Sequence, residues 1–331
     1  MKILVTGGAG YVGSLLTKRL SEKNHEVLIY DMCWFGKDHI NENINLKLIQ
    51  ADIRDKVSFE RAVKNVDVVI HLACISNDPS YDLNENLSKT INYDCFKDLV
   101  ETSKKNKVKK FIYASSSSVY GYSDDPNVTE EHPLVPLTLY NKFKGLCEPI
   151  LQDYLDDSFT GVIIRPATVC GYAPHCRLDL SVNILTNHAV NNKKITVFGG
   201  EQLRPNLHIQ DYCDVVKLLI NADSKKISNQ IFNVGYQNMS INEIAKVVKK
   251  TVQEEFPEYG EIPIIKTQSN DNRSYHINSD KIKETLGYQA KRSVEDAVRE
   301  LSKKFKEKLF NNTLENDFYY NIKRMKNLKA S

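Results

Sequence analysis

A glycine-rich turn, Gly7-Gly8-Ala9-Gly10-Tyr11-Val12-Gly13, falls between a short apolar run and a longer segment with helical periodicity. No other feature restricts the fold as strongly. The run Lys2 to Thr6 reads as a buried strand, and Tyr11 to Lys23 as a helix with Val12, Leu15, Leu16 and Leu20 along one face. The same unit then recurs. Strands are expected at Glu26 to Tyr30, Leu46 to Gln50, Asp67 to Leu72, Lys110 to Ala114 and Gly161 to Arg165, with helices near Lys56 to Lys64, Leu83 to Asn106 and Leu139 to Tyr154. Strands joined by crossovers this long pair in parallel through right-handed connections.

The turn satisfies G-x-G-x-x-G, and its position between strand and helix is that of a dinucleotide-binding turn in an α/β, Rossmann-type doubly wound parallel sheet. Gly7 permits the sharp turn, Gly10 lets backbone N–H groups approach a pyrophosphate, and Gly13 lets the helix pack closely; Tyr11 and Val12 open that helix. Asp31 ends the second strand, where a carboxylate accepts from the ribose hydroxyls and repels a 2′-phosphate. NAD is therefore expected rather than NADP, with Lys37 the one nearby cation in the sequence. Asp52 and Ile53 after the third strand are expected at the adenine, and Leu72 and Ala73 after the fourth beside the cofactor's ribose.

Residues 1–170 are thus read as the NAD-binding domain. Beyond Arg165 the rhythm gives way to loops rich in Pro, Gly and Tyr, then helices near Leu180 to Asn191 and Ile209 to Ala222 and a strand at Ile195 to Phe198. Ser240 with Glu243 reads as a capping box, and Ser293 caps a last long amphipathic helix. Residues 171–331 are expected to form a smaller α/β substrate-binding lobe, some of whose segments return to the first half. The tail from Asn311 carries Tyr319, Tyr320, Ile322 and Met325 among lysines, which suits a docked helix better than disorder.

Composition narrows the function classes. A charge of +3 spread over 331 residues gives no field for nucleic acid. The seven cysteines lack C-x-x-C spacing and fit a reducing compartment, so a cytoplasmic location is expected. No apolar run is long enough for a bilayer, and Met1 leads straight into a strand, so neither a membrane nor a targeting segment is expected. The eight histidines show no metal-ligand spacing, and no metal is expected.

Tyr140 and Lys144 stand four residues apart on one face of a predicted helix. Only about one free tyrosine in a thousand is ionised at neutral pH, and poising one there needs roughly 4 kcal/mol of differential stabilisation. A neighbouring ammonium and an oxidised nicotinamide act in that direction. Upstream, the strand Phe111 to Ala114 runs into Ser115-Ser116-Ser117-Ser118-Val119-Tyr120-Gly121, a hydroxyl-rich segment at the sheet edge where such folds bind ligands.

These four elements together resemble the extended short-chain dehydrogenase/reductases of the nucleotide-sugar epimerase and dehydratase group, over Met1 to about Leu301. The resemblance implies Tyr140 as acid/base, Lys144 on the nicotinamide ribose, Ser116 on the reacting hydroxyl, and Ser115, Asn92 and Pro166 around the cofactor. It implies a nucleotide-diphosphate sugar as substrate, met by Ser117, Thr168, Arg204 and, more weakly, Arg273. It also implies a homodimer through the helices near Leu83 to Asn106 and Leu139 to Tyr154. Relatives that dehydrate carry Asp-Glu where this chain has Ser117 and Ser118. An epimerase acting by transient oxidation at the sugar C4 is therefore expected. A C4 dehydrogenase or ketoreductase stands as the alternative, ahead of a 4,6-dehydratase and a non-catalytic NAD-binding sensor.

Overall fold

The computed structural model describes residues 1–268 and 274–328. Its first six strands are β1 (Lys2–Thr6), β2 (Glu26–Asp31), β3 (Leu46–Gln50), β4 (Val68–His71), β5 (Lys110–Ala114) and β6 (Thr160–Pro166). They continue as β7 (Thr168–Cys170), β8 (Ile195–Phe198), β9 (Leu203–His208), β10 (Gln230–Val234), β11 (Gln237–Ser240) and β12 (Ile264–Thr267). Seven of them make one parallel sheet in the order β3-β2-β1-β4-β5-β6-β10. Strand order reverses between β1 and β4, which opens a crevice above their carboxyl ends. Helices cover both faces, so β1 and β4 to β6 are buried almost throughout.

The seventh strand, β10, comes from beyond residue 170 and adds to the edge at β6. The helix Ile209–Asn221 likewise packs on Tyr11–Ser21. Buried Lys110, at the start of β5, donates to the last carbonyls of that helix, Leu219 and Ile220 at 2.8 Å and Ala222 at 2.9 Å. It thereby satisfies acceptors that a helix C-terminus leaves open. A further core, with Val182, Leu185, Ile244, Val248, Val294, Ala297 and Val298, joins the helices Ser181–Asn192, Ile241–Glu255 and Val294–Lys306.

Two expectations about elements change. The segment near Leu83 to Asn106 is not one helix but Glu85–Lys89, a wide π-turn at Thr90–Asp94 and Phe96–Lys105. The wide turn directs Asn92 inward, where its amide donates to the Ile75 carbonyl at 2.9 Å and accepts from the Ile75 N–H at 2.8 Å. β7 and β9 to β12 had no clear alternating signal. They are short, and β9 and β11 pair with each other through polar stretches. Both capping boxes are present, at Ser240 with Glu243 and at Ser293 with Asp296.

Candidate active site

The turn after β1 is built from main chain. A Cβ on Gly13 would lie 2.2 Å from the Gly7 carbonyl oxygen, and Gly7 itself has φ +72° with the Ala73 nitrogen 2.6 Å from where its Cβ would be. Only glycine lets the helix Tyr11–Ser21 start this close to β1. The first-turn N–H groups of that helix lack intrahelical acceptors and face a broad, open cleft. At the end of β2, Asp31 accepts from the Ala9 N–H at 3.0 Å and the Cys33 N–H at 2.7 Å, while burial pushes its carboxyl upward. Lys37 turns away to Gln50 at 3.0 Å.

Gly7, Gly10, Tyr11, Val12, Gly13, Asp31, Asp52, Ile53, Leu72, Ala73, Ser115, Tyr140, Lys144 and Pro166 all line this one cleft. Asn92 does not. It is buried with its amide committed to Ile75, so it braces the strand-end segment beside the cleft and does not face a ligand. Asp52 is gripped by Arg54 through Nε and Nη2 at 2.9 and 2.6 Å, which holds its carboxyl below the ordinary range despite desolvation. Tyr11 contributes its backbone, since its hydroxyl donates to the Gly171 carbonyl and accepts from Asn183.

Thr138 caps the helix Leu139–Gln152 and also donates to Asp78. Tyr140 therefore sits in the first turn, Lys144 one turn on, and Glu148 one turn further on the same face. Lys144 is buried and donates from Nζ to the Ala114 carbonyl at 2.7 Å, with its ammonium 5.3 Å from the Tyr113 ring centre. Desolvation raises the Tyr140 phenol well above its ordinary value, and Cys74 and Asp78 add to this; Arg177 acts against it. In the ligand-free cleft Tyr140 is thus held as a phenol.

Ser118 donates to the Asn141 amide oxygen at 2.5 Å, so its own oxygen is left to accept from Ser116 at 2.7 Å. Ser116 also accepts from the Ser118 N–H at 3.2 Å, and one lone pair remains for a ligand. The Ser117 hydroxyl is buried at the cleft wall without a partner among the described residues. A second open cavity adjoins the first and shares Asn77, Asp78, Ser118, Thr168, Leu180 and Tyr275 with it. Arg204 lines it with the guanidinium 5.4 Å from the Tyr275 ring centre, and Thr168 lies 3.4 Å from the Tyr275 hydroxyl. Arg273 lies outside the described residues.

Residues 3–235 match the model of the NAD dependent epimerase/dehydratase family. The chain belongs to that family, and its cofactor is NAD. A putative UDP-glucose 4-epimerase of Methanocaldococcus jannaschii is 31% identical over 264 residues, 76% of this chain and 82% of that protein. A UDP-N-acetyl-alpha-D-glucosaminuronate decarboxylase of Bacillus cytotoxicus is 29% identical over 74% of this chain and 78% of its own length. The crystal structure of the UDP-glucose 4-epimerase of Thermotoga maritima with UDP-glucose superposes with a TM-score of 0.81 at 25% identity, covering 94% of this chain and all of that one. Other relatives bear the names UDP-glucuronic acid decarboxylase and dTDP-D-glucose 4,6-dehydratase, so the family spans several reactions.

Beneath this family site lies a buried polar network with no signature in the sequence. Glu148 accepts from Ser115 at 2.6 Å and pairs with Arg165 through two bonds at 3.0 and 2.6 Å. Arg165 donates onward to the Tyr120 hydroxyl at 2.7 Å, and Tyr120 to Asn233 at 2.7 Å. The network ties the serine segment, the tyrosine helix, β6 and β10 together, with both charges paired. Only the i, i+4, i+8 spacing of Tyr140, Lys144 and Glu148 hinted at it. Arg177, Tyr275 and the aromatic loop Trp34-Phe35 also line the cleft without any spacing that marks them. Among the described residues no cluster of metal-ligating side chains occurs, and no helix is long and apolar enough to cross a membrane.

Proposed function

We propose that the protein is an NAD-dependent epimerase that inverts a nucleotide-diphosphate sugar by transient oxidation at C4. What carries this reading is that Tyr140 and Lys144 share one cleft with the glycine turn, while Ser117 and Ser118 stand where dehydration would need an acid and a base. The archaeal relative and the Thermotoga protein both carry the name of an epimerase, in agreement. NAD, when bound, supplies a hydride acceptor and donor and, oxidised, a positive ring.

Tyr140 takes the proton of the sugar hydroxyl as the carbon loses hydride, and returns it once hydride comes back to the opposite face. Its phenol starts from above the ordinary value, so the stabilisation needed to ionise it near neutrality exceeds the roughly 4 kcal/mol required by a free tyrosine. Cations must provide it, which is the role of Lys144 in the loaded site. Ser116, turning its O–H from Ser118 to the sugar oxygen, donates to that oxygen and holds it beside Tyr140. Gly10, Tyr11, Val12, Asp31, Asp52, Ile53 and Pro166 hold the dinucleotide; Thr168, Ser117 and Arg204 meet the sugar nucleotide, Arg204 as a cation for its diphosphate. The continuity of the two cavities gives an elongated ligand room to reach from Tyr140 to Arg204.

Incubation with a panel of nucleotide sugars, followed by NMR of the products and NADH absorbance, tests the proposal. Inverted sugar without NADH build-up is expected, and Tyr140→Phe should slow turnover by about 10² to 10⁴. Stoichiometric NADH or an unsaturated product would overturn epimerisation.

A further inference from the structure

Arg177 is nine-tenths buried in the wall of the NAD cleft, and apart from the pull of its charge on Tyr140 the proposed reaction gives it no task. Its Nε donates to Asp179 at 2.9 Å and its Nη1 to Ser76 at 2.9 Å, while Nη2 is buried with no partner among the described residues. A buried cationic nitrogen without an acceptor is costly unless a ligand supplies one. The backbone around it is tied to the dinucleotide turn. Asn183 donates both to the Arg177 carbonyl at 2.7 Å and to the Tyr11 hydroxyl at 3.0 Å, and the His175 N–H donates to Ser14 at 3.1 Å.

What fixes the guanidinium is the end of the chain. Asn321 opens the helix Asn321–Leu328 and lines the cleft; its N–H donates to the second oxygen of Asp179 at 2.8 Å and its amide to Ser76 at 2.9 Å. Both partners of Arg177 are thus held by one residue. One turn later Arg324 donates to the Trp34 carbonyl at 2.7 Å and stacks 4.1 Å from the Phe318 ring centre, and Phe318 packs on Gly36. Trp34 and Gly36 belong to the loop after β2, whose His39 reaches back to the Ala9 carbonyl at 2.9 Å. Met325 buries its side chain in the core beside Trp34 and Phe35.

We propose that residues 316–325 form a strap across the mouth of the NAD cleft, and that through Asn321 the strap presents Arg177 Nη2 to an anionic oxygen of the dinucleotide's pyrophosphate. The strap joins the roof segment 175–179 to the adenosine-side loop, so NAD cannot leave without breaking the Asn321 and Arg324 bonds. This rests on NAD as cofactor and not on which sugar reaction follows.

The test measures NAD retention by the purified full chain, without sugar. NAD content per chain and its dissociation rate, read by trapping released NAD with an NAD glycohydrolase, are compared for wild type, Arg177→Met, Asn321→Ala and Arg324→Ala. Loss of one charge-assisted contact should speed release roughly ten- to a hundredfold. Circular dichroism with saturating NAD identifies any variant that fails to fold, and Arg177→Lys, which keeps the charge but not the two-point tether, serves in its place. Wild-type release rates in the folded variants, or a defect confined to the sugar nucleotide's KM, would overturn the assignment.

Discussion

The NAD cleft and the cavity beside it meet at Thr168 and Tyr275 but are made from different material. Beside β1 the cleft is main chain: three glycines, a helix N-terminus and strand ends. The adjoining cavity is side chains brought by separate loops, among them Arg204 on β9, Phe198 on β8 and Ile322 from the last helix. A backbone-built wall demands particular residues at fixed spacing, because only they allow the close approach. A wall of side chains can be rebuilt by exchanging any one of them, which is how one family serves several sugars and reactions.

The sharpest attempt to break this contrast is Gly13→Ala. Its methyl would meet the Gly7 carbonyl oxygen at 2.2 Å, and backbone cannot yield as a flexible side chain does. NAD affinity should fall roughly a hundredfold, measured by calorimetric titration of NAD-stripped protein; unchanged affinity would mean the turn is not where the phosphates sit. Arg204→Ala should do the converse. It is expected to raise the sugar nucleotide's KM about tenfold while NAD content stays constant, and a loss of NAD would show the two walls are not independent.

The smallest effect is with acid. His71 under the cleft, bonded to Thr6 at 2.7 Å, and His175 in its roof are both pulled down to about 3 by desolvation. Their folded values lie below the unfolded one, so the unfolded chain binds the extra protons. The stability that neutral imidazoles contribute is complete above about pH 6.5 and declines as pH falls toward 3, by about 1 kcal/mol per histidine one unit below the ordinary value. Imidazole NMR signals from either ring titrating near the ordinary value would contradict this. Equal behaviour is expected from floor and roof, whatever their different construction.

The same contrast explains what was legible in the sequence. The βα rhythm and the turn announced the sheet, Asp31 and the Tyr140 and Lys144 pair, because burial on both faces and helix geometry write themselves as periodicity. β10 did not announce itself; five residues at a sheet edge leave too short a pattern. The wide turn around Asn92 was not legible, since Thr90 to Asp94 carry no residue pattern that sets them apart from an ordinary helix. Arg177 could not be found by spacing at all, since its partners Ser76, Asp179 and Asn321 are distant in the chain and meet only after folding.

Lys110 carries a last consequence. The strand that leads into the serine segment at one end is moored at the other by an ammonium shared among three carbonyls of Ile209–Asn221 and its exit. Pulling that helix off the sheet would strip a buried cation of all three acceptors at once. The far end of that strand is thus fixed by charge as well as by its sheet neighbours.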